Sequence, residues 1–290
     1  LTREEHPAMN PTEVLSFTDG LGIDGEVITL HEAPPHETSP RDRVRVEATG
    51  QPAQRTTRSV LISGGSRGIG AAIATTFTST GHRVANLSRS GGGTVEGCLD
   101  VACDVTEAES VKLAVKQAVA EHGPVEVLVA NAGITDDKLL LRMDEASFSH
   151  VLDTNLTSAF RLVKAVSGPM LRNRWGRIIL ISSVVATSGS AGQANYAASK
   201  AGLIGFARSL AREFGPRGVT VNVIAPGFID TEMTADLTDD RRSSVLESIP
   251  LNRTGTPNDV AAAVEFLTSD AGAYITGAVI PVDGGLGMGH

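Results

Sequence analysis

Ser183, Tyr196 and Lys200 combine residue types and spacing that could do chemistry together. Tyr196 and Lys200 lie in the stretch Gly192-Gln193-Ala194-Asn195-Tyr196-Ala197-Ala198-Ser199-Lys200-Ala201-Gly202. It opens a run with Leu203, Phe206, Leu210 and Phe214 at helical intervals. On a helix, residues i and i+4 share one face, so the phenol and the ammonium are neighbours. A phenol titrates near pH ~10, and a cation within ~4–6 Å lowers that value toward useful proton exchange. Upstream, Ser183 closes the apolar run Ile178-Ile179-Leu180-Ile181, which reads as a buried strand. A hydroxyl at the carboxyl end of such a strand can face a ligand crevice. A Tyr-x-x-x-Lys pair on its own is also what an ordinary solvated contact looks like. A nucleotide site elsewhere in the chain tips the balance.

Such a site is legible in Ser63-Gly64-Gly65-Ser66-Arg67-Gly68-Ile69-Gly70, which follows one strand and opens a helix. Glycines allow a tight turn and a close approach of backbone to a pyrophosphate, which then rests on the helix N-terminus. The spacing Gly-x-x-x-Gly-x-Gly differs from the commoner dinucleotide fingerprint but serves the same geometry. The second strand indicates which nucleotide. A site for NAD places an acid about twenty residues on, to hold the ribose 2′-hydroxyl. This chain has Asn86-Leu87-Ser88-Arg89-Ser90 there. Arg89 and Arg67 could instead hold a 2′-phosphate, which points to NADP(H). Two solvated loop arginines are the alternative.

The elements that must position these residues alternate along the chain. Strands are expected at Ser59–Ser63, Arg83–Ser88, Leu99–Cys103, Val125–Ala130, Arg177–Ser182, Val219–Ala225 and Ala278–Val282. Helices are expected at Ile69–Thr80 and Thr106–His122 (with Thr106 as N-cap), and as one long helix from Asp144 to about Asn173. The Tyr196 helix follows, then segments at Thr234–Ser248 and Pro257–Thr268. The pattern predicts an α/β fold: one Rossmann-like, doubly wound parallel sheet of about seven strands with helices on both faces. Ligands in such sheets bind beyond the carboxyl ends of the strands.

Composition narrows the rest. The 290 residues are 41% hydrophobic and 20% charged, enough for a substantial core. A net charge of −8 without a basic tract argues against nucleic acid. No apolar run approaches the ~18 residues of a membrane span. Cys98 and Cys103 have neither redox nor zinc spacing, and they are expected to be free thiols in a reducing cytoplasm. The seven histidines form no metal motif, so no metal site is expected. Residues 1–57 stand apart: six prolines, five Arg against ten Asp plus Glu, and one candidate strand, Val27–Leu30. They read as a disordered N-terminal extension, with a docking tail or a small subdomain as alternatives. They lack the features of a signal or transit peptide. Leu1 with a later Met9 leaves the natural start open. Residues 58–290 form the nucleotide-binding domain.

From Arg58 to His290 the chain resembles the short-chain dehydrogenase/reductase family. The resemblance rests on the glycine loop, Cys103-Asp104-Val105, Ala130-Asn131-Ala132-Gly133, Asn155, Ser183, Tyr196, Lys200 and Pro226-Gly227. Ser63 and Ala130 depart mildly from the family pattern. By this resemblance Tyr196 is the general acid, Lys200 holds the nicotinamide ribose and lowers the phenol's pKa, and Ser183 hydrogen-bonds the substrate oxygen. Asn155 holds a water linking Lys200 to solvent. Gly64, Ser66, Arg67, Gly68, Ile69 and Gly70 cradle the phosphates. Asp104 and Val105 lie along the adenine, and Asn131 and Gly133 near the ribose. Pro226, Gly227, Ile229 and Thr231 meet the nicotinamide end.

Within the family the sequence is most similar to 3-oxoacyl-[acyl-carrier-protein] reductases, in particular the actinobacterial branch with its Gly284-Gly285-Leu286-Gly287-Met288-Gly289-His290 ending. The resemblance implies an acyl-carrier-protein-bound substrate, docking through Arg174 and Arg217 near the cleft, and a homotetramer. The tetramer would bury Val163–Ser167, Phe206–Leu210 and Ala278–Val282, whose apolar positions could equally be core within the chain. The alternative enzyme is a sister reductase of acetoacetyl-CoA, a polyketide or another small ketone. A non-catalytic nucleotide-binding protein would leave the Ser183, Tyr196 and Lys200 combination unexplained. Acyl chain length is not legible, because the segment around Thr234–Ser248 is the variable one.

Overall fold

The computed structural model describes residues 57–93, 95–232 and 239–288, with only the backbone at 239–242 and 244. The chain divides into two units, Leu1–Ala53 and Gln54–His290. Except for Thr57, the expected extension lies outside the described residues, as does the candidate strand Val27–Leu30.

Seven strands form one parallel sheet: β1 (Ser59–Ser63), β2 (Arg83–Ser88), β3 (Leu99–Ala102), β4 (Val127–Ala130), β5 (Gly176–Ile181), β6 (Val219–Pro226) and β7 (Val279–Val282). Their spatial order is β3-β2-β1-β4-β5-β6-β7, and every neighbouring pair is parallel. The order in which strands are added reverses between β1 and β4, and a crevice opens at such a switch point.

Side chains alternate across each strand, so the buried runs feed two cores. Leu61, Leu87, Leu128, Ile178, Leu180 and Val221 face α2 (Ala108–His122), α4 (Ser158–Asn173) and α6 (Ala194–Phe214). Val60, Ile62, Val129, Ile179 and Ile224 face α1 (Gly68–Ser79) and α8 (Pro257–Thr268). A strand buried on both faces reads as a continuous apolar run, which is why these strands are visible in the sequence.

The single helix expected from Asp144 is three segments. It begins as α3 (Glu145–Leu152), widens into a π turn over Asp153–Thr157, and resumes as α4. Thr106 does not cap α2. Its backbone N–H and hydroxyl both bond Asp104 Oδ1, and Glu107 takes the cap position without a side-chain bond. One short turn, α5 (Val185–Ser188), was not foreseen, and α7 covers Asp239–Ser248. The start of the expected Thr234–Ser248 helix lies outside the described residues.

Candidate active site

The β1–α1 loop and the end of β4 are tied together first. Ser63 Oγ accepts from the backbone N–H groups of Asn131 and Ala132, both at 3.1 Å. Asn131 Nδ2 donates back to the carbonyls of Ser63 and Gly64. This clamp fixes the loop that precedes α1. Gly64 has φ +69°, a turn that an L side chain rarely adopts. At Gly70 a Cβ would collide with the Gly64 carbonyl oxygen, so helix and loop meet at backbone distance. The α1 N-terminus has no side-chain cap and no acid in its first turn. Its N–H groups and positive dipole end are therefore open to an anion.

A cleft of about 540 Å³ runs over this edge of the sheet. Of the predicted cofactor residues, Gly64, Ser66, Arg67, Gly68, Ile69, Arg89, Asp104, Val105, Asn131, Gly133 and Thr231 line it. Gly70 lies beneath the loop, Gly227 abuts Asp283, and Pro226 is buried at the end of β6. Ile229 sends its side chain into the core below α1 and α8 and pairs its backbone with Gly255. Cys103, quoted in the sequence as part of Cys103-Asp104-Val105, also lines the cleft, as do His150 and Thr154, which were not singled out there. Arg67 is paired with Glu232 at 2.9 Å, with both side chains 72% exposed. Arg89 is exposed, and it helps hold Asp104 below the usual carboxylate range, behind the larger effect of the Thr106 hydrogen bonds.

At the carboxyl end of β5, Ser183 lies beside Tyr196 of α6, near enough for its hydroxyl to favour the phenolate. Ser183 Oγ also accepts from the N–H of Val185. Lys200 lies one turn along α6 with 4% exposure; its Nζ donates to the Ile181 carbonyl at 2.8 Å and sits 5.6 Å from the Tyr196 ring centroid. Burial lowers the Lys200 pKa from 10.5 to about 8. Burial also raises Tyr196, against the pull of the neighbouring Ser183 hydroxyl and with a further push from Asp137. This corrects the expectation of a phenol lowered by Lys200. The ammonium is aimed at a backbone carbonyl and is itself starved of solvation, so desolvation outweighs attraction at the phenol.

Asn155 sits in the π turn, where the inserted residue turns its side chain inward. Its Oδ1 accepts from Ile134 N–H at 2.8 Å, and its Nδ2 donates to the Ile134 carbonyl and to Ser199 Oγ. Gly133 lies between Asn155 and Lys200: a Cβ there would stand 3.2 Å from Asn155 Oδ1 and 3.3 Å from Lys200 Nζ. Ser183, Tyr196, Lys200 and Asn155 are not in the cleft lining itself: Asn155 and Lys200 stand behind Gly133, which is, with Tyr196 one turn from Lys200 on α6.

Arg174 and Arg217 lie apart from this group. They precede β5 and β6, at the amino edge of the sheet and opposite the cleft of their own chain, where Arg174 donates to the Pro216 carbonyl at 3.0 Å. Val163, Val166 and Leu210, expected between subunits, belong to the core inside the chain. The outward apolar contact on α4 and α6 is Phe160 against Phe206. Among the described residues no group of three or more His, Cys, Asp or Glu gathers as a metal site would, and no helix is long and apolar enough to cross a membrane.

A family model described as enoyl-(acyl carrier protein) reductase matches residues 64–287. The chain is 53% identical over 234 residues to the 3-oxoacyl-[acyl-carrier-protein] reductase MabA of Mycobacterium tuberculosis, spanning 80% of this chain and 94% of that one. It is 52% identical over 241 residues to the MabA protein of Mycobacterium avium, covering 83% and 94%. To the 3-oxoacyl-[acyl-carrier-protein] reductase FabG of Escherichia coli it is 48% identical over 235 residues, covering 79% and 96%.

Proposed function

The chain belongs to the short-chain dehydrogenase/reductase family, and on that footing we propose that it reduces 3-oxoacyl-acyl-carrier-protein to the 3-hydroxyacyl product in fatty-acid synthesis or elongation, with NADPH as reductant. The observation that carries this reading is the gathering of Ser183, Tyr196 and the buried Lys200 at the end of β5, where Lys200 Nζ donates to the Ile181 carbonyl at 2.8 Å and sits 5.6 Å from the Tyr196 ring. Two donors converging on one point suit a carbonyl oxygen that gains negative charge, which they stabilise more in the transition state than in the ground state. This also favours C=O reduction over the C=C reduction named in the family model's description.

The residues present fit a dinucleotide. The glycine loop leaves room for a pyrophosphate, and the uncapped α1 N-terminus attracts one. When bound, the nicotinamide supplies the hydride. Tyr196 gives its proton to the substrate oxygen, and Ser183 holds that oxygen. Lys200 holds the ribose, and Asn155, across Gly133 from it, holds the water that links Lys200 to solvent and passes the replacement proton. Arg89, with no acid at the end of β2, favours a 2′-phosphate. Arg67 can join it, because an exposed pair such as Arg67–Glu232 contributes only ~0–1 kcal/mol.

A homotetramer in the cytoplasm completes the reading, supported by the exposed Phe160 and Tyr274, the open edge of β7 and two free thiols. Carrier docking by Arg174 and Arg217 then has to serve a neighbouring subunit's cleft, since both lie across the sheet from their own.

The test is NADPH and NADH oxidation with matched 3-oxoacyl-carrier-protein and free-CoA substrates. We expect faster turnover with NADPH on the carrier series, and a loss of about 10²–10⁴-fold in Tyr196→Phe. Preference for acetoacetyl-CoA would move the protein to the sister-reductase reading, and no turnover on either series would overturn both.

A further inference from the structure

Arg67 and Glu232 are 165 residues apart in the chain, yet they meet at the cleft that both of them line. Arg67 belongs to the loop between β1 and α1, and Glu232 to the segment that follows β6. Arg67 Nη1 donates to Glu232 Oε2 at 2.9 Å. Their neighbours in the lining also come close, since a Cβ on Gly68 would stand 3.6 Å from Thr231 Cγ2. Around the pair, the glycine loop and the uncapped α1 N-terminus are built for an anion. The other acid in the lining, Asp104, is engaged by the N–H and hydroxyl of Thr106. Glu232 is different. Its carboxylate offers an anion nothing, and it holds the guanidinium that an anion would use.

We propose that Glu232 is a built-in competitor of the cofactor: its carboxylate and a cofactor phosphate contend for the same Arg67 guanidinium, and Glu232 thereby sets how tightly the dinucleotide is held. A guanidinium presents one planar fork of donors, which suits the paired oxygens of a carboxylate or of a phosphate. A phosphate that takes Arg67 must first displace Glu232, and the lost pairing weakens binding by that amount. The pair is exposed and screened by water, so it tunes the affinity without closing the site. A moderated hold suits a reductase that must release its spent cofactor in every turnover. The inference rests on the proposed binding of a nicotinamide dinucleotide at the glycine loop.

Glu232→Gln, Arg67→Gln and the double variant test this, with Kd read from nicotinamide fluorescence on titration with NADPH and with NADH. Both side chains are exposed, so neither substitution disturbs the core. Glu232→Gln should bind NADPH about two- to fivefold more tightly than its parent, the range open to one exposed pair. Arg67→Gln should bind it about tenfold more weakly. In the Arg67→Gln background, Glu232→Gln should leave Kd nearly unchanged, because no guanidinium is left to contend for. A gain confined to NADPH assigns the contested phosphate to the ribose 2′ position, and an equal gain with NADH assigns it to the pyrophosphate; either upholds the competition. The same gain in both backgrounds would overturn it, leaving general repulsion as the cause. An unchanged Kd in Glu232→Gln, with Arg67→Gln weakened, would overturn the role of Glu232 alone. A parent that binds neither cofactor would overturn the dinucleotide reading, and this inference with it.

Discussion

Lys200 is held almost fully buried with its ammonium on the Ile181 carbonyl, an arrangement that favours chemistry over stability. Its pKa in the fold, about 8, lies below the ordinary 10.5. Between those values the unfolded chain binds more protons than the folded one, so this residue makes stability rise with pH across that window. Tyr196 acts oppositely: its raised pKa makes the unfolded chain lose the proton first, so stability falls as pH climbs past ~10. Lys200→Met should therefore abolish reduction yet raise stability at pH 7 by about 2 kcal/mol, and should lose the rise above pH 8. Thermal melts at pH 7 and pH 9 measure both. A destabilised variant would mean that the Ile181 bond outweighs the cost of desolvation.

Among the elements, the π turn between α3 and α4 decides where Asn155 points. Helical periodicity predicts one continuous helix there, because an inserted residue leaves the flanking apolar pattern almost intact. Asn155 was legible as a residue type, but its bonds to Ile134 and Ser199 were not. The glycine loop was legible because each glycine answers a local demand. Gly70→Ala tests this: its Cβ would strike the Gly64 carbonyl and stand 2.7 Å from Asn131 Nδ2, prying α1 from the clamp between β1 and β4. We expect a loss of about 1–3 kcal/mol in stability and at least tenfold weaker nucleotide binding, read by denaturant melts and fluorescence titration. Unchanged binding would mean that the loop adapts without the clamp.

For the whole molecule, everything described at the site comes from the unit Gln54–His290, and the family match spans residues 64–287. Removing residues 1–56 should leave kcat/KM within about twofold and the thermal midpoint within a few degrees, measured by the same assay and by calorimetry. A large fall in either would make the extension part of the working enzyme. The sequence by itself determined the parallel sheet, the glycine loop before α1, the spacing of Ser183, Tyr196 and Lys200, and the absence of an acid after β2. These follow from short-range patterns: strands buried on both faces, glycines at a tight turn, and i, i+4 spacing. Tertiary structure alone decided the direction of the Tyr196 pKa, the Arg67–Glu232 pair at the cleft and the distance of Arg174 and Arg217 from their own cleft. Those depend on desolvation and on contacts between segments far apart in the chain, which no local spacing encodes.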